Sequence, residues 1–164
     1  MITTLFPWLR AAHILSAAAW FGAAALLTLY LLPTARGLGA AAQPTMHAMT
    51  RRGFHRFMAV SSGLAIVSGL WLYWLLTAGF KPAAIHSASG MVYGVGGLAG
   101  LLAAMLGGAV IGRSLTRIDA LASMPEAGQA DEVAALQRRV AVASRAALGL
   151  LLVALLAMIL GHSV

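Results

Sequence analysis

A chain of 164 residues that is 61% hydrophobic and only 9% charged does not have the composition of a soluble domain, and it takes the lipid bilayer as its solvent. It holds no cysteine, which excludes disulfides, thiolate metal sites and thiol nucleophiles and leaves metal chemistry to His, Met, carboxylate or backbone groups. The formal charge of +7 would suit nucleic acid in a soluble protein. Here the arginines flank apolar stretches, where they orient a chain in a membrane, so nucleic-acid binding is set aside.

In chain order, four apolar stretches approach the length needed to cross a bilayer: Trp8 to Leu32, His55 to Ala78, Pro82 to Gly112 and Val140 to His162. Crossing about 30 Å of hydrocarbon takes about 20 helical residues. The first stretch is too long for a signal-peptide core and has no basic residue before Arg10, so it is read as retained. Pro33 is expected to end it. Gly79 with Lys81-Pro82 separates the second from the third, and "SMPEAGQADE" (Ser123 to Glu132) is expected to form a polar linker before the fourth. Apolar residues at helical spacing from Ala134 to Ser144 predict a fourth helix that starts early and projects past the bilayer. There is no internal repeat. The expected fold is all-α, a single integral membrane domain over 1–164 built as an up-down four-helix bundle.

Orientation follows from the cations. Arg36, Arg51, Arg52, Arg56, Arg113, Arg117, Arg138, Arg139 and Arg145 gather on the side of the first and third loops, against Arg10 and Lys81 on the other. The positive-inside rule then places both termini on the non-cytoplasmic side. The four acidic residues, Asp119, Glu126, Asp131 and Glu132, all fall in the third loop, and no catalytic constellation accompanies them.

In such a bundle His13, His86 and His162 share one side. His13 follows Trp8 by five residues and His86 follows Lys81 by five, which puts both about 7 Å inside their helix starts. Ionisable groups at membrane depth face the bundle interior and are functional candidates by default, and the neutral imidazole is the form that coordinates metals. Helical spacing places His13, Ala17, Trp20 and Ala24 on one stripe and His86, Gly90, Tyr93, Gly94 and Gly97 on another. The second stripe is short of side-chain bulk, which suits either a closely packed helix or a flat cofactor. If the first and third helices are diagonal, with neighbours about 10 Å apart, two imidazoles bridged by a haem iron fit between them. The plainer alternative is that His13 hydrogen-bonds a backbone carbonyl and does nothing else, with His162 a solvated terminal residue. Trp20 packs either against whatever His13 holds or into the core, while Trp8, Trp71 and Trp74 read as interfacial anchors.

On the opposite side, "MTRRGFHRFM" (Met49 to Met58) gathers His55 with Arg51, Arg52 and Arg56. Contact with anionic lipid is the default for these arginines, and anchoring of a haem propionate is the alternative. A second haem would need His47 from the preceding loop. Gly108 and Gly112, spaced as GxxxG, permit a homo-oligomer.

The segment "HILSAAAWFGAAALLTLYLLPTAR" resembles the first helix of small four-helix membrane proteins related to HemJ-type protoporphyrinogen oxidases and CopD-type copper-resistance proteins. In these a histidine precedes a Trp-(Phe/Leu)-Gly element by seven residues, here His13 before Trp20, Phe21 and Gly22. The second span, with Arg51 or Arg52 before "SSGLAIVSGLW", is similar to that group as well. The resemblance implies a haem b axial ligand at His13 or, as in the CopD-like members, a copper-related role. HemJ-like proteins carry a lysine just after a third-helix histidine, whereas "AAIHSASGMVYG" has none beyond Lys81, which argues against protoporphyrinogen oxidation.

The leading expectation is therefore a haem b protein of the bacterial inner (plasma) membrane, acting in electron transfer or as a small redox subunit. His13 and His86 are the expected axial ligands, Trp20, Gly90 and Gly94 line the cofactor, and a redox protein or quinone is the partner. Two histidine ligands leave no open position on the iron. The alternative is copper binding or permeation by His13, His86 and His162, although Cu(I) prefers thioether or thiolate and Met91, five residues from His86, points elsewhere. A non-catalytic membrane subunit is the third reading.

Overall fold

The computed structural model describes residues 2–123 and 129–163. Helix α1 (Ile2–Leu26) passes through a π-helical segment (Leu27–Leu31) into α2 (Leu32–Leu38), and a 3-10 turn (Gly39–Ala42) leads to α3 (Gln43–Arg51). Then come α4 (Phe54–Leu76), the one-turn α5 (Pro82–Ile85), α6 (Ala88–Met105), a second π segment (Leu106–Gly112), α7 (Arg113–Ser123) and α8 (Gln129–Leu160). Among the described residues there is no strand. Four helical runs, Leu5–Leu38, Phe54–Leu76, Ala88–Leu121 and Gln129–Leu160, are long and apolar enough to cross a membrane. This is an integral membrane protein.

Three boundaries differ from the sequence reading. Pro33 does not end the first span, since the helix continues to Leu38 with Pro33 in the first turn of α2. Proline lacks an N–H, and its ring collides with the carbonyl four residues back, here Leu29. The π segment just before it widens the turn, and a span in lipid has every reason to stay helical rather than expose its backbone.

The third span is not continuous from Pro82. Helix α5 stops at Ile85, and α6 begins at Ala88 with Ser87 as its N-cap, the Ser87 Oγ accepting from the Gly90 N–H at 3.1 Å. At its other end the helix runs beyond Gly112 through α7. The polar linker is also shorter than expected: Asp119 belongs to α7, while Asp131 and Glu132 occupy the first turn of α8, where carboxylates complement the positive end of the helix dipole. Glu126 lies outside the described residues. Helix α8, at 32 residues, is about 48 Å long and overshoots the hydrocarbon, as the pattern from Ala134 to Ser144 predicts.

The bundle is assembled from small side chains. Ser16, Ala65, Ser68, Ala99, Ala103, Ala143, Ser144, Ala147 and Ala157 are buried, while Leu15, Val67, Leu98 and Ile159 are among the large apolar residues left exposed. Lipid is as apolar as leucine, so there is no hydrophobic drive to bury large groups, and small ones let backbones approach. The buried Ser144 Oγ has no hydrogen-bond partner among the described residues, but other buried hydroxyls bond back along their own helices: Ser16 donates to the Ala12 carbonyl at 2.7 Å, Ser61 to Phe57 at 2.7 Å and Thr77 to Tyr73 at 2.8 Å. This local bonding satisfies them without a partner helix.

Packing runs from α1 to α4, α4 to α6, α6 to α8 and α8 back to α1, with α6 on α8 and α1 on α4 the most extensive pairs. Helices α1 and α6 thus take diagonal places. Trp20, Ala65, Ala103, Ala147 and Leu151 meet in one cluster to which all four spans contribute. The Trp20 indole supplies the bulk that its small neighbours leave unfilled.

Candidate functional site

His13 sits one turn before Ser16 and two turns before Trp20, half-buried on the side of α1 that packs on α4. Its Nδ1 lies 2.9 Å from the Ala65 carbonyl oxygen and 3.2 Å from the Ser68 Oγ. A carbonyl can only accept, so Nδ1 carries the hydrogen and donates it. The Ser68 hydroxyl donates to the carbonyls of Leu64 and Ala65, which leaves an oxygen lone pair to share the Nδ1–H. Nε2 is then the lone-pair nitrogen, and it has no hydrogen-bond partner among the described residues. This is the arrangement by which a backbone carbonyl fixes the tautomer and orientation of a histidine that ligates through its other nitrogen.

Gly69 makes the seat possible. A Cβ at this position would lie 2.8 Å from the His13 Cε1 and 3.2 Å from Nδ1, so the ring rests against bare backbone. Ala65, Ser68 and Gly69 are absent from the site read in the sequence. A signal was present: a glycine inside a helix costs up to about 1 kcal/mol relative to alanine, and Gly69 lies inside an apolar span.

His86 is placed differently from the expectation of a matched depth. It is the exposed C-cap residue of α5, ahead of the first turn of α6, rather than a residue five positions inside a membrane helix. The physical cause is local, because Pro82 starts one short helix and Ser87 caps the next. The His86 Nδ1 donates to the Pro82 carbonyl at 2.7 Å, which again leaves Nε2 as the free nitrogen.

Gly90 and Gly94 do not line an open slot. A Cβ on Gly90 would collide with the Ala84 carbonyl and lie 2.8 Å from that of Ile85, so Gly90 is what allows α5 to fold over the start of α6. The Tyr73 Oη donates to the Gly90 carbonyl at 3.2 Å, and a Cβ on Gly94 would be 3.0 Å from the same Oη. The shortage of bulk on this stripe serves helix packing, with Tyr73 of α4 laid across it. Tyr73→Phe is expected to cost about 0.6 kcal/mol, the usual worth of a hydrogen bond within a membrane bundle, as a lower denaturant midpoint with helicity unchanged.

Trp20, 8% exposed, belongs to the core cluster. His162 is exposed in the turn after α8, where its neighbour Gly161 lies beneath Tyr93, a Cβ there falling 2.8 Å from the Tyr93 Cε1. Among the described residues no three His, Cys, Asp or Glu side chains are arranged to hold a metal ion. The set of His13, His86 and His162 considered for copper is therefore not assembled. His55, Arg51, Arg52 and Arg56 are all exposed and, with Thr50 and Gly53, line a recess of about 500 Å³.

Compared with known protein families, curated proteins and solved structures, the chain finds no match.

Proposed function

We propose that this protein binds haem b in the membrane and serves in electron transfer, and that His13 and His86 are the residues that would hold the haem. One observation carries the reading: His13, inside a membrane-spanning helix, spends its Nδ1–H on the Ala65 carbonyl and keeps Nε2 free. The donor set fits haem in that respect. The glycine face of α6 does not supply the flat surface expected of it, because Tyr73 lies there, so the fit rests on the imidazoles rather than on Gly90 and Gly94.

Haem would supply a one-electron couple. The chain's own residues do the positioning: the Ala65 carbonyl holds the His13 tautomer and raises the basicity of Nε2, Ser68 shares that bond, and Gly69 sets how closely the ring lies on α4. Trp20 keeps the core beneath closed to water.

In the same reading the bundle is up-down with both termini on the non-cytoplasmic side of a bacterial plasma membrane, and a quinone or redox protein exchanges electrons with it. The contact of Tyr93 with Gly161 and the bond from the Arg36 guanidinium to the Gln137 carbonyl at 3.1 Å support the alternation. The crowding of arginines near the first and third connections supports the orientation.

The same hydrogen bond also favours a second reading, in which His13 only ties α1 to α4 in a non-catalytic membrane subunit. Absorbance of the detergent-purified protein separates the two. The expected result is a Soret band that His13→Ala abolishes and His86→Ala shifts. A colourless, metal-free protein would establish the second reading, and bound copper without a Soret band would replace haem by copper.

A further inference from the structure

We infer that the recess at the α3–α4 corner is a binding site for the phosphate of an anionic phospholipid. Helix α3 ends at Arg51, and Arg52 follows as its C-cap residue. Gly53, at φ +85°, then reverses the chain before α4 starts at Phe54. That left-handed turn favours glycine even though open space surrounds it, and it brings the arginines from the end of one helix and the first turn of the next around one concavity. Thr50, Arg51, Arg52, Gly53, His55 and Arg56 line it.

What sets these arginines apart is that three of them line one recess with no counter-charge among them. Arg117 pairs with Glu132 at 2.9 Å, and Arg36 donates to the Gln137 carbonyl. Arg51, Arg52 and Arg56 have neither a carboxylate nor a carbonyl partner among the described residues. Three like charges around one recess repel each other unless an anion sits among them, and the planar guanidinium fork matches phosphate oxygens two at a time.

The setting selects a lipid as the source of that phosphate. Helix α4 enters its membrane span here, at the level where headgroups lie. From the recess an exposed apolar row, Phe57, Val60, Leu64 and Val67, continues along the same helix at helical spacing. A phosphodiester seated on the arginines leaves its acyl chains beside that row. Each cation facing an anionic headgroup is worth about fivefold in affinity.

The test uses the full chain in detergent with native mass spectrometry, adding phosphatidylglycerol or phosphatidylcholine as probe lipids. Wild type is expected to retain phosphatidylglycerol about a hundredfold better, from three cations at about fivefold each. The combined Arg51→Gln, Arg52→Gln and Arg56→Gln variant should lose that preference by a factor of order one hundred. The combined Arg113→Gln, Arg138→Gln and Arg139→Gln variant, which removes the same charge elsewhere, should keep it. Equal loss in both variants, no preference in wild type, or displacement of the lipid by millimolar inorganic phosphate would each overturn the assignment, the last by making this a free-anion site. Because the substituted side chains are exposed, unchanged helicity is expected and serves as the folding control.

Discussion

Gly69→Val is expected to drive the His13 imidazole off α4, lowering stability by about 1–3 kcal/mol, the usual cost of overpacking. The ring already lies where a Cβ on residue 69 would stand 2.8 Å from Cε1 and 3.2 Å from Nδ1, and valine adds two methyl groups beyond that atom. The imidazole cannot move deeper, because the backbone of α4 is behind it. It must swing away, breaking the bond to the Ala65 carbonyl and the contact with Ser68.

On the proposed reading the effect on haem binding is of similar size. Loss of a partner that orients a ligating histidine lowers metal affinity by about 10- to 100-fold, so, if His13 holds haem, occupancy at limiting haem should fall by that factor while His13 itself is intact. Gly69→Ala, with one carbon to accommodate, should fall between valine and wild type. Occupancy is read from the Soret band per protein and stability from unfolding in mixed micelles. A valine variant with wild-type occupancy and wild-type stability would contradict the seat described for His13.

Gly96→Leu is expected to be strongly destabilising, at about 3 kcal/mol. A Cβ on Gly96 would stand 2.8 Å from the Ala157 Cβ and 3.4 Å from the Ala154 carbonyl, and α6 on α8 is the most extensive helix pair. Within lipid the two helices are held by close contact rather than by a hydrophobic drive. A leucine that separates the backbones therefore removes the main source of their attraction. The adjacent Gly97→Leu is the control. Its Cβ would meet nothing within 4 Å, and the residue is exposed, so its effect should stay within about 0.5 kcal/mol. Two neighbouring glycines with opposite outcomes in the same unfolding titration would verify which face of α6 meets α8. Equal outcomes would refute that packing.

The histidines show where reading along the chain stops working. His13 was legible as a polar group at membrane depth because it lies inside a long apolar stretch, three residues after Arg10 and well before the end of that stretch. Its partners were not, since Ala65, Ser68 and Gly69 become neighbours only when α4 packs on α1. His86 looked equivalent because hydropathy runs almost unbroken from Pro82 onward. The signals that separate it from α6, Pro82 at one helix start and Ser87 at the next, are local and were present in the sequence, but averaged hydropathy does not register a cap. Pro33 is the opposite case. A strong local breaker was overridden because a π segment absorbs the strain and lipid penalises an open backbone.

The sequence by itself determined the solvent of this protein, the existence of its four crossings and the small-residue character of its helix faces. Each of those properties follows from how many apolar residues lie in a row and how bulky they are, which no distant contact can change. Tertiary structure alone decided that the glycines of α6 receive Tyr73 and Ala157, that Trp20 fills the centre, and that His13 faces a carbonyl across the α1–α4 contact. In a bundle of uniformly apolar helices no hydrophobic stripe marks the inward face. The face that turns inward is chosen by which surfaces fit most closely, and fit is a property of pairs of helices.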